Sequence, residues 1–150
     1  MKGSYVRFLA MIATSTVIMF GLMYLNTYRL DHVFWSETRG YMALIMGASM
    51  AVVMLSYMLG MYGNGKVNAA IYAVSVLVFA VALYLVRSQE TVQDVSYMRA
   101  MIPHHSIAIM TSERAEIADP RVRQLADEII ESQRREIAEM KALIADLEGG

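Results

Sequence analysis

Three long stretches without charge in the first 86 residues constrain the fold more than any other feature of the chain. Residues 8–28, 40–65 and 67–86 contain no Asp, Glu, Lys or Arg. A helix of roughly 20 predominantly apolar residues is long enough to cross the hydrocarbon core of a bilayer. The sequence therefore predicts a three-helix transmembrane anchor in residues 1–86, with helices at about 6–28, 41–62 and 67–86.

The first apolar stretch also has features of a secretory signal peptide, because Lys2 and Arg7 precede it. It ends in "LMYLNTYRLDH", however, which offers no small-residue cleavage site. We therefore expect a retained membrane anchor, with a cleaved signal peptide as the alternative.

Charge divides the chain into two parts. Residues 1–86 carry five basic and two acidic residues, whereas residues 87–150 carry eight basic and twelve acidic residues. An acidic soluble segment argues against binding to nucleic acid, whose phosphates require a basic surface. The chain contains no cysteine, so disulfides and thiolate metal sites are excluded.

The basic residues of the anchor favour a cytoplasmic N-terminus. Lys2, Arg7 and Lys66 would then lie inside without neighbouring acidic residues, as the positive-inside rule expects. The first loop also contains basic residues, so the margin is small. In this orientation the first loop and residues 87–150 both lie outside the cytoplasm.

Residues 87–150 are predicted to form a helical hairpin. Its first helix runs from about 91 to 117 and contains Pro103, which would kink or break it. Its second helix begins with Asp119 as N-cap and Pro120 in the first helical position, and it can stop at Gly149. Two helices form a thin core, so we expect the hairpin to complete a four-helix bundle by dimerisation.

The segment "MRAMIPHHSIAIM", residues 98–110, places two adjacent histidines among methionines. On a helix, Met101 shares a face with both His104 and His105, and Met98 lies one turn earlier. Thioether sulfur favours Cu(I), and imidazole suits copper in either oxidation state. The alternative is that the histidines are surface or capping residues and that the methionines fill apolar space.

The motifs of the hairpin also carry a family resemblance. "DVSYMRAMIPHHSIAIM" and the later "DPRVRQLADEIIESQRREIAEMKALI" resemble the bacterial family named for domain of unknown function 305 (DUF305). The matching positions are Asp94, Tyr97, Met101, Pro103, His104, His105, Gln133, Glu136, Ile137 and Met140. The resemblance implies a ferritin-like helical protein of the periplasm or membrane, and a role in copper or silver binding. This chain has one hairpin, unlike the doubled hairpin of longer members.

The motifs and the resemblance together identify candidate metal ligands on both hairpin helices. The first choices are Met101, His104, His105 and Met140. Weaker candidates, as ligands or as hydrogen-bond partners of ligands, are Met98, Asp94, Gln133, Glu136 and the loop residue His32.

The second apolar stretch contains a regular series of methionines, with one every fourth residue and a sixth nearby: Met42, Met46, Met50, Met54, Met58 and Met61. A thioether track for Cu(I) through the membrane is one interpretation. A flexible packing face against neighbouring helices is the favoured one.

Catalysis is not expected. No Glu precedes a histidine by three positions, as a ferritin-like di-iron site requires, and no glycine-rich phosphate loop occurs. The leading hypothesis is a bacterial inner-membrane protein that binds copper, or silver in its place, on the periplasmic face for homeostasis or buffering. It could pass the metal to another metal-handling protein. The alternative is an interaction module whose acidic hairpin mediates assembly or docking without metal.

Overall fold

The computed structural model describes residues 4–25 and 27–149, and within these ranges the fold is all-α. Five α-helices follow one another along the chain, with a short 3-10 turn at Leu30–His32 between the first two. The helices are α1 (Tyr5–Leu22), α2 (Glu37–Tyr57), α3 (Gly65–Ser88), α4 (Asp94–Arg114) and α5 (Pro120–Gly149). The predicted all-α class and the order of three apolar helices before a helical hairpin are confirmed.

The chain divides into two compact units. The N-terminal unit comprises Met1–Leu22 and Thr38–Thr91, and the hairpin unit comprises Met23–Glu37 and Val92–Gly150. The loop between α1 and α2 is therefore part of the same unit as the C-terminal hairpin, although the 54 residues of Thr38–Thr91 separate them in sequence.

The helices α1, α2 and α3 are each long and apolar enough to cross a membrane. Their bounds differ from those expected from the uncharged stretches. Helix α1 ends at Leu22, and α2 extends from Glu37 to Tyr57. The difference arises because absence of charge does not distinguish a helix from an apolar loop, and residues 23–37 belong to the hairpin unit.

One end of the N-terminal unit is held together by aromatic and amide side chains. Tyr62 is buried against Phe8 and Tyr5, with ring centroids 5.3 and 5.0 Å away. The Tyr5 hydroxyl donates to Oδ1 of Asn68 at 2.8 Å and accepts from the backbone N–H of Asn64 at 3.0 Å. The start of α1 and the α2–α3 turn therefore lie at the same end of the unit.

Helix α2 packs through a row of mostly small residues, to which only part of its methionine series adds. The buried positions of this face recur every fourth residue, at Ala43, Gly47, Ala51 and Leu55. Of the methionine series, Met54 and Met58 pack against the Phe8 cluster, whereas Met42, Met46 and Met61 are exposed. Small residues allow close helix approach, and the methionine series lies only partly on the packed surface.

The core of the hairpin unit lies between α4 and α5. It is formed by buried apolar side chains of both helices, which are Met98, Ile102, Ile109, Ile137 and Ile144. Tyr28 and Phe34, from the α1–α2 loop, pack against this core. The loop thereby adds a third layer of apolar contact to a hairpin that two helices alone would cover thinly.

Two local predictions for the hairpin have different outcomes. Asp119 precedes α5, and its Oδ1 accepts from the backbone N–H of Arg121 at 2.8 Å, as expected of an N-cap. Helix α4 continues through Pro103, from Asp94 to Arg114, so the proline does not break it. Ile102 and Ile109 are fully buried on either side of the proline, and this packing holds the helix together where one backbone bond is missing.

Candidate metal centre

The imidazole of His105 is held between the two hairpin helices. Its Nδ1 lies 2.9 Å from the carbonyl oxygen of Met101, one turn earlier on α4. Its Nε2 lies 2.5 Å from Oε2 of Glu136 on α5. The other Glu136 oxygen accepts from the Ser132 hydroxyl at 3.0 Å. The hydrogen bond from His105, followed by that from Ser132, lowers the pKa of the Glu136 carboxyl.

This orientation of the ring is one that metal sites use. A ligating histidine usually donates one N–H to a backbone carbonyl or carboxylate and binds the metal through its other nitrogen. In His105 the backbone carbonyl of Met101 faces Nδ1, so Nε2 is the nitrogen directed across the groove. The Glu136 carboxylate lies next to that nitrogen, where a metal ion would bind.

A groove of about 540 Å³ runs between α4 and α5 beside His105. Six of the nine residues considered as ligands or supporting residues line it, namely Asp94, Met98, Met101, His105, Glu136 and Met140. Glu139 and Asp146 line it as well, so three thioethers, one imidazole and four carboxylates face a common space. Tyr97, Leu143 and Leu147 also line the groove and are about half exposed.

The structure places the remaining candidates elsewhere. His104 is exposed and does not line the groove, because consecutive residues of an α-helix point about 100° apart. Gln133 is half-buried on α5 and is likewise not part of the groove wall. His32 is buried in the α1–α2 loop, with its Nδ1 2.8 Å from the hydroxyl of Ser106.

Ser106 was not anticipated as an important residue, yet it joins the loop to the hairpin. Its hydroxyl oxygen is fully buried and accepts from the backbone N–H of Tyr28 at 2.6 Å, beside its contact with His32. Ser106 occurs in the same helical stripe as Ile102 and Ile109. A serine in a buried stripe requires a hydrogen-bond partner. This requirement was the sequence signal that could have identified Ser106 as a contact residue.

Charged groups surround the buried His32. Burial lowers the pKa of its imidazole, and the positive charges of Lys141 and Arg29 act in the same direction. Asp31 opposes them, and it accepts a hydrogen bond from Lys141 Nζ at 2.7 Å. That hydrogen bond lowers the pKa of the Asp31 carboxyl. Folding therefore makes protonation of the His32 imidazole less favourable.

Within residues 4–25 and 27–149, no three histidine, aspartate or glutamate side chains come together as a group that could hold a metal ion. The groove adds a second kind of donor, because three thioethers lie with one imidazole among its four carboxylates. Thioether and imidazole ligands suit soft metal ions such as Cu(I), whereas Mg²⁺ and Ca²⁺ prefer oxygen ligands.

Comparison with known proteins places the chain in a family. Residues 83–148 match the family described as Domain of unknown function (DUF305). A protein of Acanthamoeba polyphaga mimivirus, itself described as uncharacterized, is 32% identical over 146 residues, covering 90% of this chain and 91% of the relative. The chain belongs to the DUF305 family. The resemblance seen in the hairpin motifs is thus confirmed.

The DUF305 match covers the end of α3 and both hairpin helices. The similarity to the viral protein extends further and includes the apolar N-terminal helices. No solved structure matches the chain.

Proposed function

We propose that this DUF305 protein is a membrane-anchored metal-binding protein that takes up Cu(I), or Ag(I) in its place, in the groove between α4 and α5. The observation that carries the proposal is the convergence of the Met98, Met101 and Met140 side chains with His105 on one groove. Sulfur and imidazole donors favour soft monovalent metal ions. The role would be binding and buffering rather than catalysis, with transfer to another metal-handling protein as a further step.

His105 is the central ligand of this proposal. Its Nδ1 faces the Met101 carbonyl, which leaves Nε2 for the metal ion. A metal ion at Nε2 would take the place of the proton shared with Glu136. Glu136 would then lie beside the metal, where its charge offsets that of the cation.

The neighbouring His104 provides a matched control. It has the same side chain one position earlier, but it is exposed and lies off the groove wall. The purified full-length protein in detergent would be titrated with Cu(I) and Ag(I), alongside His105→Ala and His104→Ala. We expect the His105 variant to lose at least about tenfold in affinity, since even residues that only support a ligand contribute that much. The His104 variant should bind like the parent.

Folding and sulfur ligation require their own controls. Circular dichroism should give the same helix content for all variants, so that lost binding is not lost structure. Met101→Leu and Met140→Leu conserve side-chain volume and remove only sulfur, and they should weaken Ag(I) binding as well. Absence of tight binding in the parent, or equal binding by the two histidine variants, would contradict the proposed site.

The membrane placement is part of the same proposal. Hydrogen bonds from Tyr5 bring the start of α1 next to the α2–α3 turn, so Arg7 and Lys66 lie at one end of the unit. Under the positive-inside rule this end is cytoplasmic, and the hairpin lies on the periplasmic side of a bacterial inner membrane.

Because the chain has no cysteine, Gly63→Cys and Glu148→Cys can each be labelled individually. An impermeant maleimide should label only Glu148→Cys in intact cells, and the reverse result would invert the topology.

Assembly without metal is the second candidate function. It is supported by exposed apolar side chains on the first half of α5, namely Val122, Leu125 and Ile129. A second copy covering these residues would complete a four-helix bundle. Light scattering in detergent should then report a dimer that Leu125→Glu converts to a monomer, with metal binding unaffected if the two functions are separate.

A further inference from the structure

A second groove lies entirely within the N-terminal unit, between α1, α2 and α3. It has a volume of about 580 Å³, within the range of roughly 300–1,000 Å³ that is typical of small-molecule sites. Its wall is almost wholly apolar, with Lys66 as its charged residue and the hydroxyls of Thr16 and Ser75 as its other polar groups. The Thr16 hydroxyl donates to the carbonyl of Ile12 at 2.8 Å, within its own helix.

The length of the groove matches one leaflet of a bilayer. Lys66 and Val78 both contribute to its wall and lie twelve residues apart on α3, or roughly 18 Å along the helix axis. Half of a hydrocarbon core of about 30 Å is roughly 15 Å. An acyl chain entering at Lys66 would therefore lie in the groove over the depth of its own leaflet.

The end of the groove at Lys66 is positively charged. The hydrogen bonds of Tyr5 with Asn64 and Asn68 bring the first turns of α1 to this end, and Arg7 is exposed there. No Asp or Glu occurs in residues 1–30 or 38–89. Basic residues at the membrane surface attract anionic lipid headgroups.

We propose that this groove binds one anionic phospholipid, with an acyl chain along α1, α2 and α3 and the phosphate beside the ammonium group of Lys66. The apolar wall residues would contact the acyl chain, and the positive charge of Lys66 would attract the headgroup phosphate. This site is distinct from the metal centre, and neither depends on the other.

Native mass spectrometry of the full-length protein in detergent tests the headgroup contact. Phosphatidylglycerol and phosphatidylcholine would be titrated separately against the parent, Lys66→Gln and Arg87→Gln. Lys66→Gln should lower the affinity for the first phosphatidylglycerol about fivefold, the usual contribution of one basic residue near an anionic surface. Arg87, at the opposite end of α3, serves as the matched control, and its variant should retain parental affinity.

Two neighbouring alanines test the acyl-chain contact. Ala70 lines the groove, whereas Ala69 is exposed on α3 outside it. Ala70→Leu should fill the groove and weaken binding of both lipids, and Ala69→Leu should leave both unchanged. Equal affinity for the two lipids in the parent, or no effect of Ala70→Leu, would overturn the proposal. It would also be overturned if Ala70→Leu dissociated a protein dimer, because the groove would then be a helix-packing surface.

Discussion

The hydroxyl of Ser106 lies 2.8 Å from Nδ1 of His32, and this buried contact joins the α1–α2 loop to the C-terminal hairpin. The two residues are 74 positions apart in sequence. The same hydroxyl accepts from the backbone N–H of Tyr28, so the loop is attached through both its backbone and a side chain. The hairpin is therefore stabilised by a segment that precedes it by two predicted membrane spans.

Replacing Ser106 with alanine should destabilise the hairpin unit. The backbone N–H of Tyr28 and the ring nitrogen of His32 would lose their partner, and a buried unpaired polar group costs about 1–3 kcal/mol. Trp35 is the single tryptophan of the chain and belongs to the loop, so denaturant unfolding followed by its fluorescence should report the loss. Ser96→Ala, on the same helix, is the control and should shift the midpoint much less.

The hairpin unit should also lose stability as the pH falls below about 6.5. The pKa of His32 is lowered in the folded chain from its ordinary value of 6.5, so the unfolded chain takes up a proton first. Stability is therefore complete above that value and declines as the pH falls, by at most about 1.4 kcal/mol per pH unit for one proton. Thermal unfolding by Trp35 fluorescence between pH 8 and about 5 would measure the decline.

A His32→Gln variant separates this effect from the titration of the other histidines. Its unfolding free energy should depend less on pH over the same interval, even if it is lower throughout. The pH interval stays above 4.5, the ordinary pKa of Glu136. The pKa of this carboxyl is lowered in the folded chain, so its protonation below pH 4.5 would also reduce stability. An unchanged pH dependence in His32→Gln would show that His32 is not responsible.

Gly47→Ala should disturb the packing of α2 against α1. A methyl group at this position would meet the side chain of Thr16 closer than real contacts allow. Overpacking of this kind typically costs about 1–3 kcal/mol. Thermal stability in detergent would measure the cost, and Gly40→Ala is a control on the same helix with open space around it. Thr16→Ala combined with Gly47→Ala should restore much of the loss, and failure to do so would argue against this close approach.

Asp119→Ala should shorten or fray the start of α5. The carboxylate accepts from the backbone N–H of Arg121, and loss of an N-cap costs about 0.5–2 kcal/mol. Asp119→Asn keeps an acceptor oxygen and should retain most of the stability. Chemical denaturation followed by circular dichroism compares the two. Equal losses in both variants would indicate that the charge, rather than the cap, stabilises this end.

Much of the fold was predictable because its signals are local. Absence of charge over about 20 residues identified the three apolar helices, and the Asp119–Pro120 pair located the start of α5. Helix α1 ends at Leu22 and not near Tyr28 as expected, because Tyr28 belongs to the hairpin unit and packs against its core. Local composition contains no information about which distant surface a loop will cover.

The candidate site shows the same division between local and distant information. From the sequence alone, the methionines and the two histidines were identified as a group with soft-metal chemistry, since residue type and helical spacing are properties of a single segment. Only the tertiary structure distinguished His105 from His104. Which of the two histidines lines the groove depends on which side of α4 faces α5, and His105 is the one whose imidazole contacts Glu136. The contact of His32 with Ser106 depended likewise on packing, since residues so far apart are brought together by burial and hydrogen bonding rather than by sequence periodicity.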